Sequence, residues 1–384
     1  MSFPRRAFAL LAAQLVAACG LFQHLQVESL GDSAQKPSNV AVYLSVSNGD
    51  QPLTELEEQN FRIYENEQLI ADSETQQTLL DRQLVAHHRT LLLVDMSAAK
   101  DENARRQIGR GVAGFVSAVR RTQGVSVYAF DGRAAPEHIG DYPKGEAGSE
   151  EIAQLTNFKS TDPSRNLHGA VLAAVKELGA RLMTEQKPIR VGTLVVLSSG
   201  PDLAGRATTE QMQQALEASH YQLVAIGVGT DGSYDLEGLD KNGALWTPSL
   251  GAVGPTLEDA ATRVQNLMDR HYLLSYCSPA RAGHRMVRIE VVTDTTDGKE
   301  LKGDVSFEID ANGFDSGCDP NKTPRFTATG SAKVEPTPAG ETSKPAASSG
   351  GEKPKGSSET PKEGSDGIVP PPEKPGYAPL PEKK

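Results

Sequence analysis

The sequence predicts an α/β protein: a doubly wound, mainly parallel sheet in the middle of the chain, with a small β-sandwich formed by the flanking N- and C-terminal segments. Three observations predict it. Leu91-Leu92-Leu93-Val94, Leu194-Val195-Val196-Leu197 and Leu223-Val224-Ala225-Ile226 are continuous apolar runs, the pattern of strands buried on both faces of a parallel sheet. Helical stretches separate them: Ile108, Val112, Phe115 and Val119 recur at spacings of three and four, 167–183 repeats the pattern, and 210–218 adds a shorter amphipathic piece. Outside this middle, apolar and polar residues alternate, as in Val40 to Val46, Phe61 to Tyr64, Val287 to Val291 and Val305 to Ile309.

Taken in order, residues 38–86 form a β-rich segment with Asn48-Gly49 as a turn, 87–270 the α/β domain, and 271–320 a second β-rich segment. Each β-rich segment has too few strands to cover its own apolar face, so the two are expected to complete one sandwich. From 321 to 384 the chain turns to Pro, Ser, Gly, Lys and Glu and reads as a disordered tail.

The first residues are an address. Arg5 and Arg6 precede an apolar run from Ala7 to Val16, too short to span a bilayer, so 1–18 reads as a signal peptide. Val16-Ala17-Ala18-Cys19 resembles the lipobox of bacterial lipoproteins, which implies that Cys19 is lipidated and that 19–37 is a tether. Arg5-Arg6-Ala7-Phe8 partly resembles a twin-arginine signal, so the export route stays open. The resemblance implies an exported, lipid-anchored envelope protein, at the outer membrane in a Gram-negative host. The two remaining cysteines, Cys277 and Cys318, suit an oxidising compartment and one disulfide, two free thiols being the alternative.

The formal net charge of -11 repels phosphate backbones, so nucleic acid is excluded as a partner. No Gly-x-Ser-x-Gly elbow, His-Glu-x-x-His helix or Cys-x-x-Cys pair is present, and no catalytic residues emerge. Two Gly-x-Gly-x-x-Gly matches, at Gly109 and at Gly227, lack the strand-to-helix context of a dinucleotide site and read as packing or chance. His87 and His88 point to opposite faces of a strand and read as surface residues. Asp231, Asp235 and Asp240 read as a solvated acidic loop.

In an open parallel sheet the binding crevice lies beyond the strands' C-terminal ends. The loops there read Asp95-Met96-Ser97-Ala98-Ala99 and Leu197-Ser198-Ser199-Gly200, and the stretch Arg165-Asn166-Leu167-His168-Gly169-Ala170, at the head of a helix, is picked out with them by a resemblance. Together they resemble the von Willebrand factor type A domain, whose metal-ion-dependent adhesion site uses Asp-x-Ser-x-Ser, a Thr and an Asp from three such loops. Glu57 to Glu65 and Tyr272-Leu273-Leu274-Ser275-Tyr276-Cys277 resemble flanking segments of a bacterial group related to that family, so the likeness covers 38–310. It implies a protein-binding module rather than an enzyme, with another envelope or surface protein as partner in adhesion, sensing or scaffolding. A structural role with an inactive crevice is the alternative.

The metal motif is degenerate. Ala99 stands where the resemblance implies a second Ser, Arg165 where it implies Thr, and Ser199 where it implies Asp. Mg²⁺ needs oxygen ligands, and those left are Asp95 and Ser97, with Ser164 and Asp202 able to contribute only by rearranging. No cofactor is therefore expected. The crevice reads as a partner-binding surface of Asp95, Ser97, Ala99, Ser164, Arg165 and Ser199. Arg165 is open to three roles: pairing with Asp95, receiving a partner's carboxylate, or pointing to solvent.

Overall fold

The computed structural model describes residues 24–49, 51–145, 152–236, 238–239, 243–295 and 298–326. The chain divides into Met1–Lys333 and Val334–Lys384, and every described residue lies in the first unit. The signal peptide, Cys19 and the tail beyond 326 fall outside the described residues, as does Asp240.

The described residues form a mixed α/β structure with three sheets. The first sheet holds β1 (Gln26–Gln35), β2 (Asn39–Asn48), β3 (Gln51–Pro52), β6 (Thr78–Leu80) and β13 (His271–Cys277), in the order β1-β2-β13-β6 with β3 beside β2. The second holds β4 (Phe61–Glu65), β5 (Gln68–Leu69), β14 (His284–Asp294) and β15 (Glu300–Asp310), in the order β15-β14-β4-β5. Strand alternation puts Val40, Val42, Leu44, Tyr272, Leu274 and Tyr276 on one inner face and Phe61, Ile63, Val287, Ile289 and Val291 on the other, and these side chains share one core. Strands from both ends of the chain mix in each sheet: Val42 pairs with Leu274, and Ile63 with Ile289. A short helix, α1 (Asp72–Thr75), precedes β6.

The third sheet has β7 (Ala86–Asp95), β8 (Gly124–Phe130), β9 (Glu137–Tyr142), β10 (Ile189–Ser198), β11 (Gln222–Val228) and β12 (Leu245–Thr247), in the order β12-β11-β10-β7-β8-β9. Its pairs are parallel except β8 with β9. The apolar run of β7 divides by alternation. Leu92 and Val94 join a core with α2 (Glu102–Val119), α3 (Ala153–Thr156) and α6 (Val253–Asp269). Leu91 and Leu93 join another with α4 (Leu167–Met183) and α5 (Thr209–Ser219). Asp101 caps α2 by accepting from the Ala104 N–H at 2.8 Å. Where α2 meets α6, a Cβ on Gly111 would lie 2.9 Å from Leu257 and 3.2 Å from the Gly254 backbone, so only glycine permits this approach.

Among the described residues no helix is long and apolar enough to cross a membrane. Cys277, at the end of β13, is disulfide-bonded to Cys318 with Cα atoms 5.7 Å apart.

Three sequence expectations are corrected. Residues 26–35, expected within a tether, form the edge strand β1, whose ladder to β2 runs from Gln26↔Ser47 to Gln35↔Asn39. Its mostly polar side chains hid it, because an edge strand is held by backbone hydrogen bonds rather than by an apolar stripe. The first residues expected in the disordered tail are also bound: Ser33 Oγ donates to the Arg325 carbonyl at 2.7 Å, and Phe326 rests on Gly31 and Ile189. Finally, His88 is not a surface residue. It is buried and hydrogen-bonded to the Tyr43 hydroxyl at 2.7 Å, because the start of β7 already lies beneath β2, while His87 on the opposite face sits 3.2 Å from Glu185.

Candidate functional site

Because β7, β8 and β10 run parallel, their C-terminal ends share one edge of the third sheet, and the loop entering α4 joins them there. Asp95, the last residue of β7, is completely buried. Its Oδ1 accepts from the Ser97 N–H at 2.8 Å, a local turn that fixes the carboxylate. Its Oδ2 accepts from the Ser199 N–H at 2.8 Å, the Ser199 hydroxyl at 2.5 Å and Arg165 Nε at 2.7 Å.

Arg165 is 8% exposed and is held on every side. Its Nη1 donates to the Pro201 carbonyl at 2.9 Å and its Nη2 to Ser199 Oγ at 3.0 Å. Its own carbonyl accepts from the Leu203 and Ala204 N–H groups at 2.8 and 2.9 Å. Gly200 makes room: at φ +156° it adopts a conformation that side chains rarely enter, and a Cβ there would stand 2.5 Å from Arg165 Nη1. Of the roles open in the sequence, the geometry is that of an internal pair with Asp95.

The structure brings Asp95, Ser97, Arg165 and Ser199 together. Ala99 is buried and its side chain offers no oxygen, and the Ser97 hydroxyl is buried with no partner among the described residues. Ser164 and Asp202 are engaged elsewhere. Ser164 donates through Oγ and N–H to Asp162 Oδ1 at 2.6 and 3.0 Å, and these bonds hold the half-buried Asp162 carboxyl below its ordinary pKa. Asp202 accepts from the His168 N–H at 3.1 Å, in the first turn of α4, and from the Gly205 N–H at 2.7 Å.

A further group at this edge is invisible to the three-loop pattern. Asp131, just past β8, is buried and accepts from the Arg133 N–H and Nε, each at 2.9 Å, and from the Thr161 N–H at 3.2 Å. Burial pushes its pKa upward, but the bonds from Arg133 and Thr161 outweigh it and hold the carboxyl below its ordinary range. Arg206 Nε donates to the Gly132 carbonyl at 2.7 Å, and Asn166 Nδ2 to the Arg133 carbonyl at 2.9 Å, stitching the loops together. The signal was the apolar run Val125 to Phe130 followed by Asp-Gly, a fourth buried strand ending at the same rim.

These residues do not fit a divalent cation. The one carboxylate oxygen facing Arg165 already receives three donors, one of them a guanidinium whose charge opposes a second cation. What the rim offers outward is close to neutral. Arg165 pairs with Asp95, Arg133 with Asp131 and Arg206 with Asp162, while Ala98, Ala134, Ala135, Pro163 and Pro201 are exposed and Leu203 is 65% exposed.

No family model matches the chain, and no curated protein matches it. Among solved structures, a minor pilin, PilB from Streptococcus sanguinis, aligns over 63% of this chain and 78% of that chain, at 8% identity and a TM-score of 0.33. A likeness of that size carries no argument about fold or function.

Proposed function

We propose that this chain is an exported, lipid-anchored envelope protein whose third sheet and helices form a doubly wound domain of von Willebrand factor type A kind, which binds another protein at the rim around Arg165 without metal and without catalysis. The observation that carries the reading is the Arg165 guanidinium seated on Asp95 Oδ2, Ser199 Oγ and the Pro201 carbonyl. The geometry supplies permanently, from within the chain, the positive charge that a buried carboxylate needs. A partner therefore has no open cation to coordinate. It meets a surface of paired charges from which Leu203 projects, an aliphatic side chain whose burial by a partner removes apolar area from water. Anchoring through Cys19 is the expectation carried by the lipobox.

The same internal pairing also favours a second reading, in which the crevice is inert and the protein is a structural component of an envelope assembly. Leu203→Asp separates the two, since an exposed side chain is replaced without disturbing the core. Crosslinking of the acylated full-length protein in membranes should lose its partner adduct in L203D and keep it when chelator is added to the native protein. Unchanged adduct in L203D would place the contact elsewhere and leave the structural reading.

A further inference from the structure

Where β2 and β13 turn their outer faces toward the start of β7 and β10, Ala41, Tyr43, Val85, Ala86, Ile189, Val191 and Leu273 form a separate apolar core. This is the seam between the sandwich and the α/β layer. Three rings meet in it. Tyr43 stacks on His271 with centroids 5.7 Å apart and planes inclined by 20°, and His88 meets His271 edge-on at 5.1 Å. The Tyr43 hydroxyl is bonded to His88 Nε2 at 2.7 Å.

His271 Nδ1 lies 3.1 Å from the Met268 carbonyl, which can only accept, so this nitrogen carries the proton of a neutral ring. Its Nε2 is buried with no partner among the described residues. A second proton on that nitrogen would place a positive charge in an apolar seam where no described residue accepts it.

The charged groups facing the rings do not relieve this. Arg82 and Asp81 come from the turn before β7, and Asp269 and Arg270 from the end of α6. Arg82 ion-pairs with Asp269 and reaches the His271 carbonyl at 3.5 Å, so that carboxylate is already engaged. Arg270, itself largely buried, adds positive charge next to His271. His87 is turned away toward Glu185. β10 contributes Ile189 and Val191, and β13 contributes Leu273.

We propose that the Tyr43, His88 and His271 cluster is an acid-sensitive joint, at which protonation of an imidazole parts the sandwich from the α/β layer before either loses its own core. The direction follows from burial, aided by the neighbouring cations, which lowers His271 from 6.5 to about 3 and His88 well below 6.5. A histidine whose folded pKa is depressed contributes its stabilisation fully above the unfolded value of 6.5 and loses it as pH falls through that value toward the folded one. For His271 alone the folding equilibrium should drop on the order of 50- to 100-fold between pH 7 and 4.5.

Hydrogen exchange of the full-length protein across this range tests the joint. Oxidative footprinting alongside it should show the Tyr43, His271 and Leu273 side chains gaining reactivity on acidification while amide protection at 40–46, 124–130 and 287–291 persists, because those amides are paired within their own sheets; seam exposure that comes only together with loss of that protection would overturn the proposal. His88→Gln with His271→Asn supplies the control, because the Gln amide replaces Nε2 and the Asn amide replaces the Nδ1 donor without titrating. This variant should lose the acid step, and an unchanged step would count against the joint. If the variant does not fold, imidazole resonances of the native protein decide: two histidines should stay neutral at pH 5, and titration of all eight near 6.5 would refute it.

Discussion

Asp95 and Arg165 are seventy residues apart, and neither is tolerable where it sits without the other. Arg165→Met should strand the Asp95 carboxylate and destabilise the fold by about 3–5 kcal/mol, read as a shift of the urea midpoint. Asp95→Ala combined with Arg165→Met should recover much of that loss, since neither charge is then left unpaired. A double variant as unstable as the sum of its parts would contradict a direct pair. The loops carrying Asp95 and Ser199 were legible as the ends of buried strands, which parallel pairing brings to one edge, whereas the Arg165 loop was legible only from its resemblance to a known loop pattern. Which of three roles Arg165 takes was not, because a long flexible side chain reaches several acceptors and only the assembled loops choose among them. Ser164 and Asp202 illustrate the same limit. Each satisfies a nearby partner, Asp162 or the start of α4, and sequence spacing gives no weight to such local bonds.

At the scale of elements, continuous apolar runs read as buried strands because β7 and β10 are covered on both faces, and α2 was legible from its apolar spacing. β1 was not, because its register is set by backbone pairing with β2. The close crossing of α2 and α6 at Gly111 gives a test of packing. Gly111→Val should force Leu257 and the Gly254 backbone apart and destabilise by about 1–3 kcal/mol in chemical denaturation, with weakened near-ultraviolet circular dichroism. The disulfide binds the segment after β15 to the end of β13. Cys277→Ser with Cys318→Ser should lower stability by about 2–4 kcal/mol. Asp319, whose carbonyl accepts from Asn39, and Phe326 should then gain protease access first.

Over the whole molecule, one α/β layer interrupts a sandwich whose strands come from both sides of it. The alternating segments at 38–86 and 271–310 signalled strands too few to stand alone, and pairing such as Val42 with Leu274 spans the entire domain between them. The sequence pattern could not supply the seam: Tyr43, His88 and His271 are far apart in the chain and acquire a shared environment only when both layers are in place. A chain ending at Arg270 would lack β13, β14 and β15 and expose Val40, Val42, Leu44, Phe61 and Ile63. It should bind a hydrophobic dye and aggregate, whereas a soluble, dye-free product would show that the first segment needs no closure.

Partner contact is proposed at the rim, through a surface that needs no metal. A photoreactive side chain placed at Leu203, or as control at Met183, which is 71% exposed at the opposite end of α4, tests it in the membrane-anchored protein. One discrete adduct is expected from position 203, equal in yield with and without chelator, and none from position 183. Adducts that vanish with chelator, or that form equally from both positions, would contradict it.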